Sequence, residues 1–548
     1  MIFLSLSVLV FGFCFFCVGF GVQKIFKFSI RNNIALLCLL GISFSSLFFN
    51  IAQFFMPLGI ITLSLIFAFG GVGCYLFIKS RYYTNYTYTI SGILGLLLCF
   101  FILLVYFSSG KSIPLSAGYD TLLYHSSLVS WLNYSKIIPG LANLHGRLGM
   151  NSFYLILAAG IDVGIFDKYS SVILPFLFYF LSLLYFFENI KNTDSKQLHF
   201  VSVILIFWLI FCNKANPNLY YDIPSMIFTA VIFYEFLLKE FQCNDYEKKL
   251  TSDEVLFIYA SMSFCIKQIG VINLVVIFFY GIRNLINKKS FSFLSCLKFI
   301  SIPILFGASY IARNIIQTGF PLYPLPLFSL NLAWTNLKTA VNTYNDIIGC
   351  ARLPGPEYLK SLDNGFLFWF VPWINSNIKS YNCIYYFLLL LSSILCVINI
   401  TNKKKLINIR KIVLFNSIIL LNIGFWFYSA PDFRFGSVFF FIFFAFNIYF
   451  LNINIKFITK EIIFVSFVFF FCETHQRDLV QLFFPAKVQS LPCHPVELDN
   501  GHNPPLTVYV PDKGDQTGDA TLPCTPYPND KLKLLKPGNI KSGFYIDE

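Results

Sequence analysis

Long apolar runs alternate with short polar loops along most of this chain. Residues 33–55, 58–78, 88–108, 291–311 and 435–452 each approach the roughly 20 apolar residues needed to cross a bilayer as a helix. The first run, residues 1–22, is too long for a signal-peptide core and lacks a basic start, so it reads as the first span. Lys and Arg gather around Lys24, Lys27 and Arg31, at Lys79 and Arg81, at Lys191 and Lys196, at Lys248 and Lys249, at Arg283, Lys288 and Lys289, and from Lys403 to Lys411. With those loops in the cytoplasm, the remaining polar segments fall together on the opposite side.

One short apolar segment, 151–166, decides that sidedness. It carries Asp162, and if it crossed, every later basic loop would be inverted. It is therefore expected to dip in and return, or to lie along the interface. Further spans are expected at 168–187, 198–213, 222–240, 381–399, 411–428 and 457–473, with 254–283 split into two about an outer turn at Lys267. The fold class is thus an all-α polytopic membrane protein with about fourteen transmembrane helices. Six regions follow: N-terminal spans 1–108, a first large outer loop 109–167, central spans 168–311, a second outer segment 312–379, C-terminal spans 380–473, and a tail 474–548. The tail is rich in Pro, Asp, Asn and Gly and reads as a small extracytoplasmic lobe. No fixed-period repeat is present.

Composition agrees. The chain is 57% hydrophobic and 12% charged, against roughly 25% charged in soluble domains. Its 68 phenylalanines need no role beyond lipid-facing surface. A net charge of +13, from 40 basic and 27 acidic residues, sits in short loops, and no basic soluble domain exists to bind nucleic acid. Most cysteines lie in apolar runs, but Cys350, Cys383, Cys493 and Cys524 lie in outer segments. Cys493 and Cys524 share the tail, which leaves a disulfide open. A zinc set drawn from Cys493, His494, His502 and Cys524 matches no tight ligand spacing.

Candidate chemistry concentrates on the outer side. Asp120 stands just beyond a span, placed to take a proton from a hydroxyl or to cap the helix that follows. Tyr124 and His125 follow, then His145 and Arg147 after a Pro-Gly turn. Asp222 opens a span; Lys267 sits at membrane depth, where a cation needs water or a partner. Arg313, Arg352 and Arg434 offer forked donors suited to phosphate, and Asp432 stands beside Arg434.

This layout resembles the GT-C class of glycosyltransferases, on Asp120 in the first large outer loop, Asp222 at the outer start of a later span, and the Arg-bearing outer loops. The chain is also similar to an uncharacterised bacterial membrane-protein family, on Tyr-His at 124–125, Pro-Gly-Leu-Ala-Asn-Leu-His-Gly-Arg at 139–147, Ala-Pro-Asp-Phe-Arg-Phe-Gly at 430–436 and Leu-Pro-Cys-Thr-Pro-Tyr at 522–527. The GT-C resemblance implies an inverting enzyme of the bacterial inner membrane with its active site facing the periplasm or exterior. It would move a sugar from a polyprenyl-phosphate donor to a glycan or glycolipid acceptor in cell-envelope polysaccharide assembly. Asp120 would be the general base, helped by His125 or His145, and Lys267, Arg313, Arg352 and Arg434 would hold the donor phosphate. A divalent metal is disfavoured by the single carboxylate in the loop. The alternatives are a transporter or flippase of a lipid-linked or anionic glycan, and a polysaccharide polymerase or ligase.

Overall fold

The computed structural model of the chain describes residues 2–80, 97, 100, 118–193, 195–212, 218–241, 250–287, 292–401, 409–451, 491–498 and 505–547. The expected spans 88–108 and 457–473, and His502, lie outside the described residues.

Among the described residues, nine helices are long and apolar enough to cross a membrane: Ile2–Phe26, Ile34–Ala52, Ile60–Lys79, Ser170–Lys191, Gln268–Asn287, Phe293–Thr318, Cys383–Thr401, Ile409–Ser429 and Phe433–Leu451. Local chemistry sets their ends. Asn33 accepts a bond from Leu36 N at 3.1 Å, and Gly319, at φ +85°, closes Phe293–Thr318 in the left-handed conformation. The first two helices meet backbone to backbone, since a Cβ at Gly41 would lie 1.8 Å from the Phe15 carbonyl oxygen.

Three expected spans take other forms. Helix Lys196–Phe207 has 12 residues and runs into a π turn, Trp208–Cys212. Helix Asp253–Ile266 has 14 residues, a rise of about 21 Å. Helix Asp222–Phe241 is long, but it carries Asp222, Glu235, Lys239 and Glu240 and is almost wholly buried. The described residues therefore hold nine apolar helices of spanning length, with Ile34–Ala52 and Ser170–Lys191 among the most buried of them, packed together with shorter or more polar ones. Lys267 breaks the run that follows: its extended backbone (φ −152°, ψ 131°) separates Asp253–Ile266 from Val271–Asn287. The two helices fold back as a hairpin, because Asn284 Nδ2 reaches Asp253 Oδ2 at 3.1 Å.

The bundle has two chemically distinct ends. At one, Arg31 pairs with Glu235 at 2.6 Å, Lys411 with Glu240 at 3.0 Å, and Lys239 with Asp253. The other gathers residues 118–152, 218–222, 267–270, 319–365, 430–434 and the tail. Segment 153–161 enters the bundle from this second end, packing Phe153 on Phe306 and Tyr154 on Phe178. Helix Phe153–Ile161 has 9 residues, a rise of about 13.5 Å against the ~30 Å hydrocarbon thickness. Beyond it, the Asp162 carbonyl accepts from Asn133 Nδ2 at 2.9 Å, and Lys168 pairs with Asp519 of the tail at 2.5 Å.

The tail carries two antiparallel pairs of strands, Cys493–Leu498 with Leu506–Pro511 and Leu532–Leu534 with Phe544–Ile546. It is bonded to the 118–150 segment throughout. Gly518 N donates to the Leu122 carbonyl at 2.7 Å, Thr525 Oγ1 to the Leu144 carbonyl at 3.0 Å, and Phe544 N to the Pro139 carbonyl at 3.0 Å. Cys493 and Cys524 are both free thiols, and the Cys524 sulfur lies 3.3 Å from Ser127 Oγ.

Candidate functional site

Asp120 stands one residue before a π-helical turn, Thr121–His125, which leads into helix Ser126–Tyr134. Its backbone is already helical and its carboxylate caps nothing, so the capping alternative falls away. The side chain turns instead into a set of ion pairs. Asp120 Oδ2 accepts from Arg434 Nη1 at 3.0 Å, and Asp120 Oδ1 lies 3.5 Å from Arg147 Nη1. Arg434 also reaches Asp432 at 3.4 Å and Asp222 at 3.8 Å. Asp222 in turn pairs with Lys267, whose ammonium lies 3.1 Å from the Phe435 ring centroid. Three carboxylates thus interleave with three cations drawn from five segments far apart in sequence.

The sequence motifs hold this arrangement. In 139–147, Gly140 takes φ +62°, and a Cβ there would sit 2.0 Å from the Phe544 carbonyl oxygen. Asn143 Nδ2 bonds the Trp334 carbonyl at 2.8 Å and the Phe544 carbonyl at 3.1 Å, and Tyr323 OH bonds the Gly146 carbonyl at 2.7 Å. Arg147 thereby leaves a loop clamped on three sides. In 430–436, Trp373 Nε1 donates to the Pro431 carbonyl at 2.8 Å and Trp426 Nε1 to the Asp432 carbonyl at 2.7 Å. Asp432 Oδ1 caps Arg434 N at 2.9 Å. Those bonds aim Arg434 at Asp120.

Neither histidine assists Asp120. His125 is buried beneath the cluster among Tyr124, Tyr220 and Tyr221, and both ring nitrogens lack a hydrogen-bond partner. Burial lowers its pKa to about 3. His145 packs its ring against Tyr527 at 5.5 Å, and burial, with nearby Arg147, lowers it to about 3 as well. Both rings are neutral parts of the packing. Tyr124 does face the site: Arg147 lies 5.7 Å from its ring centroid, and its hydroxyl meets that of Tyr221 at 3.3 Å.

Two of the expected phosphate-binding arginines stand apart. Arg313 is fully buried and donates to Asn50 Oδ1 at 3.2 Å and Gln53 Oε1 at 2.9 Å. It spends its donors on neutral amides inside the bundle. Arg352 lies over the Trp369 ring at 4.9 Å, away from the carboxylates.

Other residues join the site without having been singled out. Asp346 and Cys350, on helix Leu337–Arg352, come close enough to Arg147 to interact electrostatically with it. Tyr119 bonds Asp515 of the tail, which Tyr527 OH also reaches at 3.4 Å. Beside Tyr119 opens a cleft of about 600 Å³ lined by Leu491, Pro492, Asp512, Lys513, Asp515 and Gln516. The forewarning was adjacency, since Tyr119 precedes Asp120 and Cys350 precedes Arg352 by two, together with the expected place of Cys350 in an outer segment. Among the described residues, no three His, Cys, Asp or Glu side chains converge as a metal-ligand set.

The family described as a domain of unknown function, DUF8201, matches residues 1–442. The chain belongs to that family. The match takes in Asp120, Arg147, Asp222, Lys267 and Arg434, and stops short of the tail that packs on them. No curated protein and no solved structure matches the chain.

Proposed function

We propose that this protein is an integral-membrane glycosyltransferase of the GT-C type. It would take a sugar from a polyprenyl-phosphate donor and pass it to a cell-envelope glycan or glycolipid, at the extracytoplasmic face of a bacterial inner membrane. One observation carries the reading: a carboxylate, Asp120, held between two guanidiniums at the same end of the bundle as the tail and its open cleft. The positive-inside rule supports the orientation, because Arg31, Lys239 and Lys411 mark the far end.

The chemistry follows from the ion pairs. A carboxylate tied to Arg147 and Arg434 is a weak base. When a donor phosphate takes over their forked donors, Asp120 is released to accept a proton. The acceptor hydroxyl loses that proton to Asp120 as its oxygen bonds the anomeric carbon. The bond from that carbon to the phosphate oxygen breaks, and the lipid phosphate leaves with its charge held by Arg147, Arg434 and Lys267. Attack opposite the leaving group inverts the anomeric centre. The Asp120 cluster sits at one end of the bundle and not at mid-depth, which favours transfer over transport.

The test is transfer by the purified full chain from a panel of polyprenyl-phosphate sugars, with wild type and Asp120→Asn compared. We expect the variant to lose at least about 100-fold in rate while it melts close to wild type. Equal rates for the two proteins, or no transfer by wild type from any donor of the panel, would overturn the reading.

A further inference from the structure

Tyr119 precedes the proposed base in the chain and opens onto the cleft that the tail closes from the other side. At about 600 Å³, that cleft falls within the roughly 300–1,000 Å³ of sites that take small molecules. Its two walls are tied together. Gly518 bonds the Leu122 carbonyl through its N–H and Ser126 Oγ through its own carbonyl, each at 2.7 Å. Asp512 N donates to the Pro492 carbonyl at 3.0 Å, which joins the two tail strands of the lining.

The lining has one flat aromatic face and several hydrogen-bonding edges. The Tyr119 ring is 44% exposed, and its hydroxyl is held by Asp515, so the ring is fixed in place. Leu491 and Pro492 add apolar surface. Both bonds to Asp515, from Tyr119 and Tyr527, fall on Oδ2, and among the described residues nothing bonds Oδ1. Asp512 Oδ1 takes His494 Nδ1 at 2.9 Å, and Gln516 adds an amide. A sugar ring presents C–H groups on its faces and hydroxyls around its rim, which suits an aromatic face edged by carboxylates and an amide. Charge decides which sugar. Asp512 and Asp515 outweigh Lys513, so the cleft is net negative and works against phosphate and uronate alike. Arg147 comes close enough to Tyr119 and Tyr527 to act on them electrostatically, so the cleft adjoins the Asp120 cluster.

We propose that this cleft binds an uncharged sugar unit of the acceptor, stacked on Tyr119, with its hydroxyls on Asp515, Asp512 and Gln516. The donor phosphate is left to Arg147 and Arg434, and a further hydroxyl of the same glycan is presented to Asp120. Calling the bound glycan an acceptor rests on the transferase reading; the binding of the sugar does not.

The test is capture of the purified, fluorescently labelled full chain, without donor, on a surface array of unlipidated oligosaccharides. The array holds chains of hexose and N-acetylhexosamine, and the same chains bearing a uronic acid. Wild type should bind the neutral chains and pass over the acidic ones. Tyr119→Ala should weaken capture about tenfold. Tyr119→Phe, which keeps the face, should retain most of it, and Lys531→Gln elsewhere on the tail should change nothing. Asp512→Asn combined with Asp515→Asn makes the cleft net positive and should admit the acidic chains. A wild type that binds no chain, or prefers the acidic ones, overturns the inference whether or not the variants fold. So does a Tyr119→Ala that melts near wild type and binds as well. Capture of neutral chains by a wild type that transfers no sugar ends the transferase reading and leaves the cleft; transfer by a wild type that captures nothing ends the inference and leaves the transferase.

Discussion

Arg434→Gln perturbs the site at its hub. The guanidinium touches Asp120 at 3.0 Å, Asp432 at 3.4 Å and Asp222 at 3.8 Å. At an effective dielectric of about 20, a unit pair at 3 Å attracts by roughly 5–6 kcal/mol before desolvation. Arg434 is 42% exposed while Asp120 is 14% exposed, so solvent screens much of that, and the net loss of stability should be only about 1–2 kcal/mol. Arg147 still holds Asp120, and Lys267 still holds Asp222, which limits the damage. The effect on transfer should be larger. Removing one preformed donor from a developing anion costs about 100- to 1,000-fold in rate. Arg434→Lys should recover only part of it, because an ammonium lacks the fork. The assay pairs thermal unfolding in detergent with transfer rates, and a double-mutant cycle with Asp120→Asn should give a coupling near 1 kcal/mol in stability. Transfer within threefold of wild type by Arg434→Gln would refute the phosphate role, and additive stabilities would show that the Asp120 contact does no work.

Lys267→Met should destabilise by about 2–4 kcal/mol, because it leaves buried Asp222 with Arg434 at 3.8 Å as its remaining cation; adding Asp222→Asn should restore most of the loss, and a melt that stays low would mean the damage lies elsewhere. His125 and His145 are held near pKa 3 against an ordinary 6.5. The unfolded chain takes up protons between those values and the folded chain does not, so stability is complete above about pH 6.5 and falls below it. Each ring should lose about 2 kcal/mol by pH 5, and His125→Phe should remove about half of that slope in a pH series of melts; an unchanged slope would contradict the burial argument. Cys350 is exposed at the site end, though burial raises its thiol pKa and slows it. In a background with Cys383, Cys493 and Cys524 replaced by Ser, a membrane-impermeant maleimide should label it in intact spheroplasts, with the signal lost in Cys350→Ser; labelling only after lysis would reverse the orientation.

How much of this was readable beforehand depended on distance and on burial. Lys267 in an apolar run announced a helix break, because a cation at that depth has to face a partner, and Asp222 is that partner. Asp432 and Arg434 stand two residues apart, so a shared turn was visible, but not that Trp373 and Trp426 would lock it. The histidines misled because titration near neutral pH is a property of exposed rings, and sequence alone does not reveal that three tyrosines enclose His125. Arg313 ends an apolar helix much as Arg434 begins one. Only packing shows that Asn50 and Gln53 of an early helix reach it first. Asp346 joins through helix Leu337–Arg352, whose Thr343 is bonded by Tyr323 OH at 2.9 Å, the same hydroxyl that reaches the Gly146 carbonyl 177 residues earlier in the chain.

The most direct measurement is a cryo-EM structure of the full chain in lipid nanodiscs with a non-hydrolysable polyprenyl-phosphate sugar bound. We expect the phosphate to lie between Arg147 and Arg434, with the Asp120 carboxylate turned toward the sugar from the tail side. A donor bound at the opposite end beside Arg31 and Lys411, or a cluster still closed on itself with the donor elsewhere, would contradict the central claim.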